Sequence, residues 1–229
     1  DKQTKTRNLF RKNTLCLHEM KKLRRSLLLA VFAFSTPLLA QNQAPLAASP
    51  DTVSPLKIGQ KLPEISLLDA AKNVFPLTKS LRNGPVVLVV YRGGWCPYCN
   101  VQLSELGKIE PQLLKLGYRI VAISPDASEK LAGAATKNKL RYKLLADPQM
   151  QAAQSLGLAF QVDAATAEKY REYGISLPNS PDGRAKTLPV PAVYLIGRDG
   201  VVDFSYVNPD YKTRVPGDLV LAAAKAFAE

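Results

Sequence analysis

The feature that most constrains this chain is a nine-residue segment containing two cysteines, Y-R-G-G-W-C-P-Y-C at residues 91–99. It follows an apolar run at residues 85–90 and precedes a helical pattern that continues to Leu116. A β-branched run closed by two glycines predicts a strand buried on both faces. The two cysteines are therefore expected at a strand-to-helix turn.

This position suits thiol chemistry. Cys96 falls at the start of the predicted helix, with Pro97 at the first helical position, and Cys99 faces the same side one turn later. A helix N-terminus stabilises negative charge by about 0.3–1 kcal/mol. We therefore expect Cys96 to have the lower thiol pKa, and the pair to form a disulfide that thiol reagents open readily. Arg92 either adds positive charge at this site or is an ordinary exposed arginine at a strand end.

The N-terminal region has the pattern of a targeting signal. Residues 20–40 combine a basic start, an apolar stretch and a small residue at Ala40, which predicts a secretory signal peptide. Residues 1–19 would then be an extraneous extension, and residues 41–55 a flexible leader. A retained membrane anchor is the alternative, but the stretch is short and contains Pro37. We expect export to the bacterial periplasm or the cell exterior, with membrane contact only through the signal.

The net charge of +12 arises mainly from this N-terminal region. Nine of the 31 Lys/Arg and two of the 19 Asp/Glu precede residue 41, so the rest of the chain carries 22 and 17, a net charge of +5. No basic block interleaved with aromatic residues follows residue 40. We therefore expect no nucleic-acid partner.

Cysteine and histidine usage limits the chemistry further. Cys16 and the single histidine, His18, both lie within residues 1–40. The remainder has only Cys96 and Cys99, which excludes a Cys-His or Ser-His nucleophile and leaves zinc without its customary ligands. We expect neither a metal nor another cofactor. A CxxC pair in an exported protein is then either a structural disulfide or a redox centre.

Strand and helix patterns alternate along residues 56–229, which predicts one α/β domain with a mainly parallel sheet and helices on both faces. Strands are expected within 56–69 and at 74–77, 85–90, 119–124, 142–147, 192–196 and 201–207. Helices are expected after the cysteines and at 127–140, 149–156, 163–173 and 216–227, with a loop-rich stretch at 175–188.

This order resembles the thioredoxin fold, and most closely the peroxiredoxin-like proteins of the alkyl hydroperoxide reductase and thiol-specific antioxidant family. The resemblance covers residues 58–227. It rests on the I-G-Q-K-L-P entry at Ile58, the strand before the cysteines, the S-P-D turn at Ser124, L-A-D-P at Leu145, and the Y-L-I-G-R-D-G hairpin at Tyr194. It implies a central mixed sheet and a thiol-based antioxidant or redox enzyme.

The resemblance divides at the site itself. In the peroxiredoxin register Cys99 is the peroxidatic cysteine, but Arg92, Cys96 and Pro191 replace the family's Pro, Thr and Arg. The W-C-x-x-C pattern and Pro191 instead resemble thioredoxin. That likeness implies a cis Val190–Pro191 bond, with both residues docking an extended substrate. It also implies that the residues around the cysteines support the site, namely Arg92, Trp95, Pro97 and Tyr98.

Three functions remain open from the sequence. The first is thiol-disulfide exchange with protein or small disulfides, in which Cys96 attacks and Cys99 resolves. The second is a thiol peroxidase that reduces hydroperoxides through Cys99, with Cys96 resolving. Both need a thiol reductant, either thioredoxin-like or small. The third is a non-catalytic binding module in which the disulfide is structural.

Overall fold

The computed structural model describes residues 46–228. The predicted N-terminal extension, the signal peptide, Cys16 and His18 lie outside the described residues. Within 46–228, no helix has the length and apolar character needed to cross a membrane.

A seven-stranded mixed sheet forms the centre of the domain, with the strand order β2-β1-β5-β4-β3-β8-β9. Strands β3, β4 and β5 are parallel, because a helix connects each to the next. The flanking strands are antiparallel, including the predicted β8-β9 hairpin. The strands are β1 (Ser66–Leu68), β2 (Val74–Pro76), β3 (Val86–Val90), β4 (Arg119–Ser124), β5 (Lys143–Ala146), β6 (Ala159–Gln161), β7 (Thr187–Pro189), β8 (Ala192–Ile196) and β9 (Val202–Val207).

Six α-helices accompany the strands in the described part of the chain. They are α1 (Leu77–Ser80), α2 (Pro97–Lys115), α3 (Ser128–Lys137), α4 (Gln151–Ser155), α5 (Ala164–Glu172) and α6 (Gly217–Phe227). The Asp163 side chain accepts a hydrogen bond from the Thr166 amide and caps α5, as its position before the helix predicts.

Two hydrophobic cores lie on the two faces of the sheet, because successive side chains of β3 point in opposite directions. Val87 and Val89 pack with residues of α2 and α6. Val86, Leu88 and Val90 pack with α1 and α4 on the other face. All five residues are at most 1% exposed, which confirms the prediction of a strand buried on both faces. Both cysteines belong to the core formed with α2 and α6.

Two features differ from the sequence prediction. Strands β6 and β7 form a separate antiparallel pair, so the stretch predicted as loop up to residue 188 ends in a strand. The described part of the leader predicted over 41–55 contains ordered backbone contacts, and its flexibility stays a prediction. Ala47 accepts a hydrogen bond from the Gln161 amide at 2.8 Å, and Pro50–Thr52 forms a 3-10 helix. Composition alone missed these backbone contacts.

Candidate active site

The cysteine turn connects the end of β3 to the start of α2, and Asp126 holds it in place. Asp126 Oδ2 accepts hydrogen bonds from the Gly94 amide at 2.7 Å and from the Ser124 hydroxyl at 3.0 Å. Gly93 has φ +138°, and a Cβ there would lie 2.5 Å from Trp95 Nε1. The turn therefore requires glycine at this position, and it fixes Cys96 as the N-cap residue of α2.

Both cysteines are free thiols with no exposed surface. The Cys99 thiol hydrogen-bonds to the Cys96 sulfur, and this hydrogen bond is the main reason why the pKa of Cys96 is lowered to about 6. The Cys99 amide, Arg92 and Arg214 lower the pKa of Cys96 further. Burial raises the pKa of the Cys99 thiol. Cys96 is therefore the thiolate at neutral pH, in the direction that the helix position predicts. The predicted disulfide is not formed in this structure and stays a prediction for the oxidised protein.

Arg214 is the residue beside the cysteine pair that sequence reasoning missed. It lies between β9 and α6, and its Nη2 donates to Cys99 Sγ at 3.3 Å. Its Nη1 donates to Gln102 Oε1 at 3.1 Å, and its Nε to the Tyr211 carbonyl at 2.7 Å. These contacts fix the guanidinium beside the sulfur pair. The surrounding loop has no periodicity, so no local signal in the sequence could have identified it.

Arg92 is buried within a group of aromatic rings. Only 4% of the residue is exposed, so the interpretation as an ordinary surface arginine is wrong. Its guanidinium carbon lies 3.9 Å from the ring centre of Tyr211, 5.2 Å from Trp95 and 5.6 Å from Tyr170. Its Nη2 also donates to the Tyr170 hydroxyl. Cation-π contacts of this kind hold the charge close to Cys96.

The structure brings the other supporting residues of the motif to the same place. Trp95 packs against Tyr170, with ring centres 5.3 Å apart. Tyr98 is 41% exposed and meets Tyr211 edge-on at 5.8 Å. Pro97 is exposed at the first position of α2. Aromatic residues from three separate segments therefore surround Arg92 beside the cysteine turn.

The cis Val190–Pro191 bond expected from the likeness to thioredoxin is wrong, and the docking role of the two residues stays a prediction that the local pairing does not favour. The Val190–Pro191 bond is trans. The Val190 amide donates to the Leu158 carbonyl at 2.9 Å, so it is not available to a substrate strand. The Val190 side chain belongs to the core on the opposite face of the sheet from the cysteines. The backbone hydrogen bond between Val190 and Leu158 fixes the local geometry, and the likeness to thioredoxin does not predict it.

A cavity of about 290 Å³ lies beside the cysteine turn. Trp95 forms one wall, next to Cys96 in sequence, and the remainder includes Pro125, Ile175 and Leu177. Within residues 46–228, no group of three or more His, Cys, Asp or Glu side chains is placed to hold a metal ion. The site thus provides a thiolate, a neighbouring thiol and two guanidinium groups, and the cavity beside the turn is also lined by the charged residues Asp126 and Lys130.

Comparisons with known proteins agree with this chemistry. Over 106 residues, the chain is 32% identical to Peroxiredoxin Bcp of Escherichia coli (strain K12), which covers 46% of this chain and 67% of that protein. The structure of Peroxidoxin BcpB from Mycobacterium tuberculosis has a TM-score of 0.60 at 21% identity, covering 76% of this chain and 99% of that one. Reduced Prx3 of Vibrio vulnificus, solved with hydrogen peroxide, also gives 0.60, at 19% identity, covering 74% and 99%.

The two structural matches are too distant in sequence to show more than the shared fold. Residues 58–205, however, match the AhpC/TSA family over well more than half of the chain. The buried cysteine pair at the start of α2 lies within the matched residues. The chain therefore belongs to the AhpC/TSA family of peroxiredoxin-like, thiol-based oxidoreductases with a thioredoxin-like fold.

Proposed function

We propose that this protein is a thiol peroxidase that reduces hydroperoxides with Cys96 and Cys99. The observation that carries the proposal is the contact of Arg214 with Cys99 at 3.3 Å. A peroxidase needs donors that stabilise the departing oxygen, and the loss of one such donor typically costs about 10²–10³ in rate. Pro191 stands where the family has its arginine, but Arg214 supplies a guanidinium from another segment.

The charge distribution assigns the two sulfurs different roles. The Cys96 thiolate attacks the outer peroxide oxygen, the O–O bond breaks, and Cys96 becomes a sulfenic acid while the alkoxide leaves. The Cys99 thiol protonates the alkoxide and is left as a thiolate beside Arg214. It then attacks the Cys96 sulfur, which releases hydroxide and forms the disulfide. Because the thiolate is the nucleophile, Cys96 accepts the oxygen in this order of steps. In the family register, Cys99 is instead the cysteine that accepts the oxygen.

Disulfide exchange with extended protein substrates is supported less well. That activity depends on a backbone edge that pairs with the substrate. The Val190 amide is already paired with Leu158, and neither cysteine has exposed surface. A small hydroperoxide needs no such edge.

The test is to measure peroxide-dependent and insulin-disulfide-dependent turnover side by side with the same reductant. We expect faster turnover with peroxide. Turnover with insulin alone would refute the proposal. Cys99→Ser should still consume one equivalent of peroxide and hold a sulfenic acid at Cys96, whereas Cys96→Ser should react slowly. Fast oxidation of Cys99 in Cys96→Ser would reverse the two roles but leave the peroxidase function in place.

A further inference from the structure

The two arginines beside the sulfur pair have no acidic partner in the described part of the chain. All four ion pairs found within residues 46–228 involve other side chains. The acid that interacts with Arg214 over a longer range is Asp210, whose carboxylate accepts hydrogen bonds from the Lys212 amide and the Thr213 hydroxyl. The two guanidinium charges are therefore not neutralised by a carboxylate in contact.

In the reduced protein the Cys96 thiolate serves as the counter-ion of the two arginines. Arg92 and Arg214 both attract it. Oxidation to the disulfide removes this charge and leaves both cations in place. One of them, Arg92, is 4% exposed, and an unpaired buried charge is costly. The oxidised site should therefore attract an anion more strongly than the reduced site.

Access to the sulfurs limits the size of that anion. Both cysteines are 0% exposed, and the rings of Trp95, Tyr170 and Tyr211 lie around Arg92 beside them. A reductant protein that carries its dithiol on a loop needs a wide opening to reach sulfur atoms with no exposed surface. A small thiol needs a much narrower opening.

From these observations we infer that the physiological reductant is a small thiol that carries additional negative charge, such as a carboxylate. The inference rests on the proposed function, because it concerns the disulfide that peroxide forms. One thiolate attacks a sulfur of the Cys96–Cys99 disulfide, forms a mixed disulfide and releases the other cysteine as a thiolate. A second thiolate then attacks the mixed disulfide, so two thiols become one small disulfide and both cysteines are reduced.

The test compares three small thiols of similar size on the oxidised wild-type protein: mercaptoacetate (anionic), 2-mercaptoethanol (neutral) and cysteamine (cationic). Trp95, the single tryptophan, provides a fluorescence signal next to Cys96. Each rate is expressed per thiolate and divided by the rate of the same thiol with a neutral small disulfide, which corrects for nucleophilicity. We expect mercaptoacetate to exceed cysteamine by about tenfold or more at about 0.01 M salt. The ratio should fall towards one at about 1 M salt, where the screening length is about 3 Å.

Equal corrected rates for mercaptoacetate and cysteamine at low salt would overturn the inference. So would a protein dithiol that reduces the site faster than mercaptoacetate at equal thiolate concentration. The disulfide is prepared once with peroxide and once with diamide. Failure of peroxide to oxidise the protein would count against the proposed function alone, since the diamide-oxidised protein still reports the thiol preference.

Variants of single arginines test which positive charge produces the preference for mercaptoacetate. Arg92→Gln should lose most of the preference for mercaptoacetate, and Arg92→Lys should keep it. Arg198→Gln is the matched control, since it removes the same charge from an exposed residue in the β8-β9 turn and should leave the preference unchanged. An equal loss in Arg198→Gln would mean that net charge, and not this site, selects the thiol. If Arg92→Gln does not fold, the salt dependence of the wild-type protein remains decisive.

Discussion

Replacement of Cys99 by alanine should raise the pKa of Cys96 substantially. The hydrogen bond from the Cys99 thiol is the largest cause of the low Cys96 pKa of about 6. Hydrogen bonds to charged groups contribute about 1.5–3 kcal/mol, which corresponds to about 1–2 pKa units. We therefore expect the pKa of Cys96 in Cys99→Ala to be about 7–8. The thiolate fraction at pH 7 should fall from about nine tenths to between about one half and one tenth.

Cys99→Ser is the matched control, because its hydroxyl retains a donor at the same position. Its Cys96 pKa should lie between those of the wild-type protein and Cys99→Ala. The measurement is the rate of iodoacetamide alkylation of Cys96 as a function of pH, with peptide mass spectrometry to separate Cys96 from Cys16. A Cys96 pKa in Cys99→Ala within a few tenths of the wild-type value would refute this reasoning. The stabilisation would then come from the helix start and the two arginines.

The same structure leads to four further predictions. Arg214→Met should slow oxidation by peroxide by about 10²–10³, measured by stopped-flow fluorescence, and an unchanged rate would exclude Arg214 from the chemistry. The folded pKa of Cys96 is below its unfolded value near 9, so ionisation stabilises the folded state. The measured quantity is the unfolding free energy of the reduced wild-type protein minus that of Cys96→Ala, from urea titrations. This difference should increase by up to about 1.4 kcal/mol per pH unit between pH 6 and 9, and the stabilisation should be absent below pH 6. A difference that does not change with pH would contradict this. Gly157→Ala should destabilise the fold by at least about 1–2 kcal/mol, because the φ of Gly157 is +67° and a Cβ would lie 1.9 Å from the Ser54 carbonyl oxygen. Gly133→Ala, in the open interior of α3, should instead stabilise it by about 0.5–1 kcal/mol in the same denaturation assay.

The sequence predicts the parts of this site that depend on neighbouring residues. A β-branched run, two glycines and a proline after Cys96 are enough to place the cysteine pair between β3 and α2, since strand burial and helix starts are local properties. The same applies to the Asp163 cap and the β8-β9 hairpin. The fold class followed from the alternation of such elements.

The remaining features depend on contacts between distant segments. Arg214 lies 115 residues from Cys99, and Tyr170 lies 78 residues from Arg92. Neither residue has a local pattern that distinguishes it from a surface residue. The cis bond expected at Pro191 was wrong because it was carried over from thioredoxin, whereas the Val190–Pro191 bond here is trans and the Val190 amide pairs with Leu158. Backbone pairing outside regular elements cannot be obtained from periodicity.

The position of both sulfurs in the first turn of α2 affects how the protein withstands excess oxidant. A sulfenic acid that meets a second peroxide becomes a sulfinic acid, which most cells cannot repair. Where the second cysteine is remote, the sulfenic acid persists until a segment unfolds locally, which takes microseconds to seconds. Here Cys99 already hydrogen-bonds to the Cys96 sulfur, so in the proposed mechanism the disulfide should form without any such delay. The sulfenic acid of the proposed mechanism should therefore be short-lived, and high peroxide concentrations should inactivate the protein only slowly.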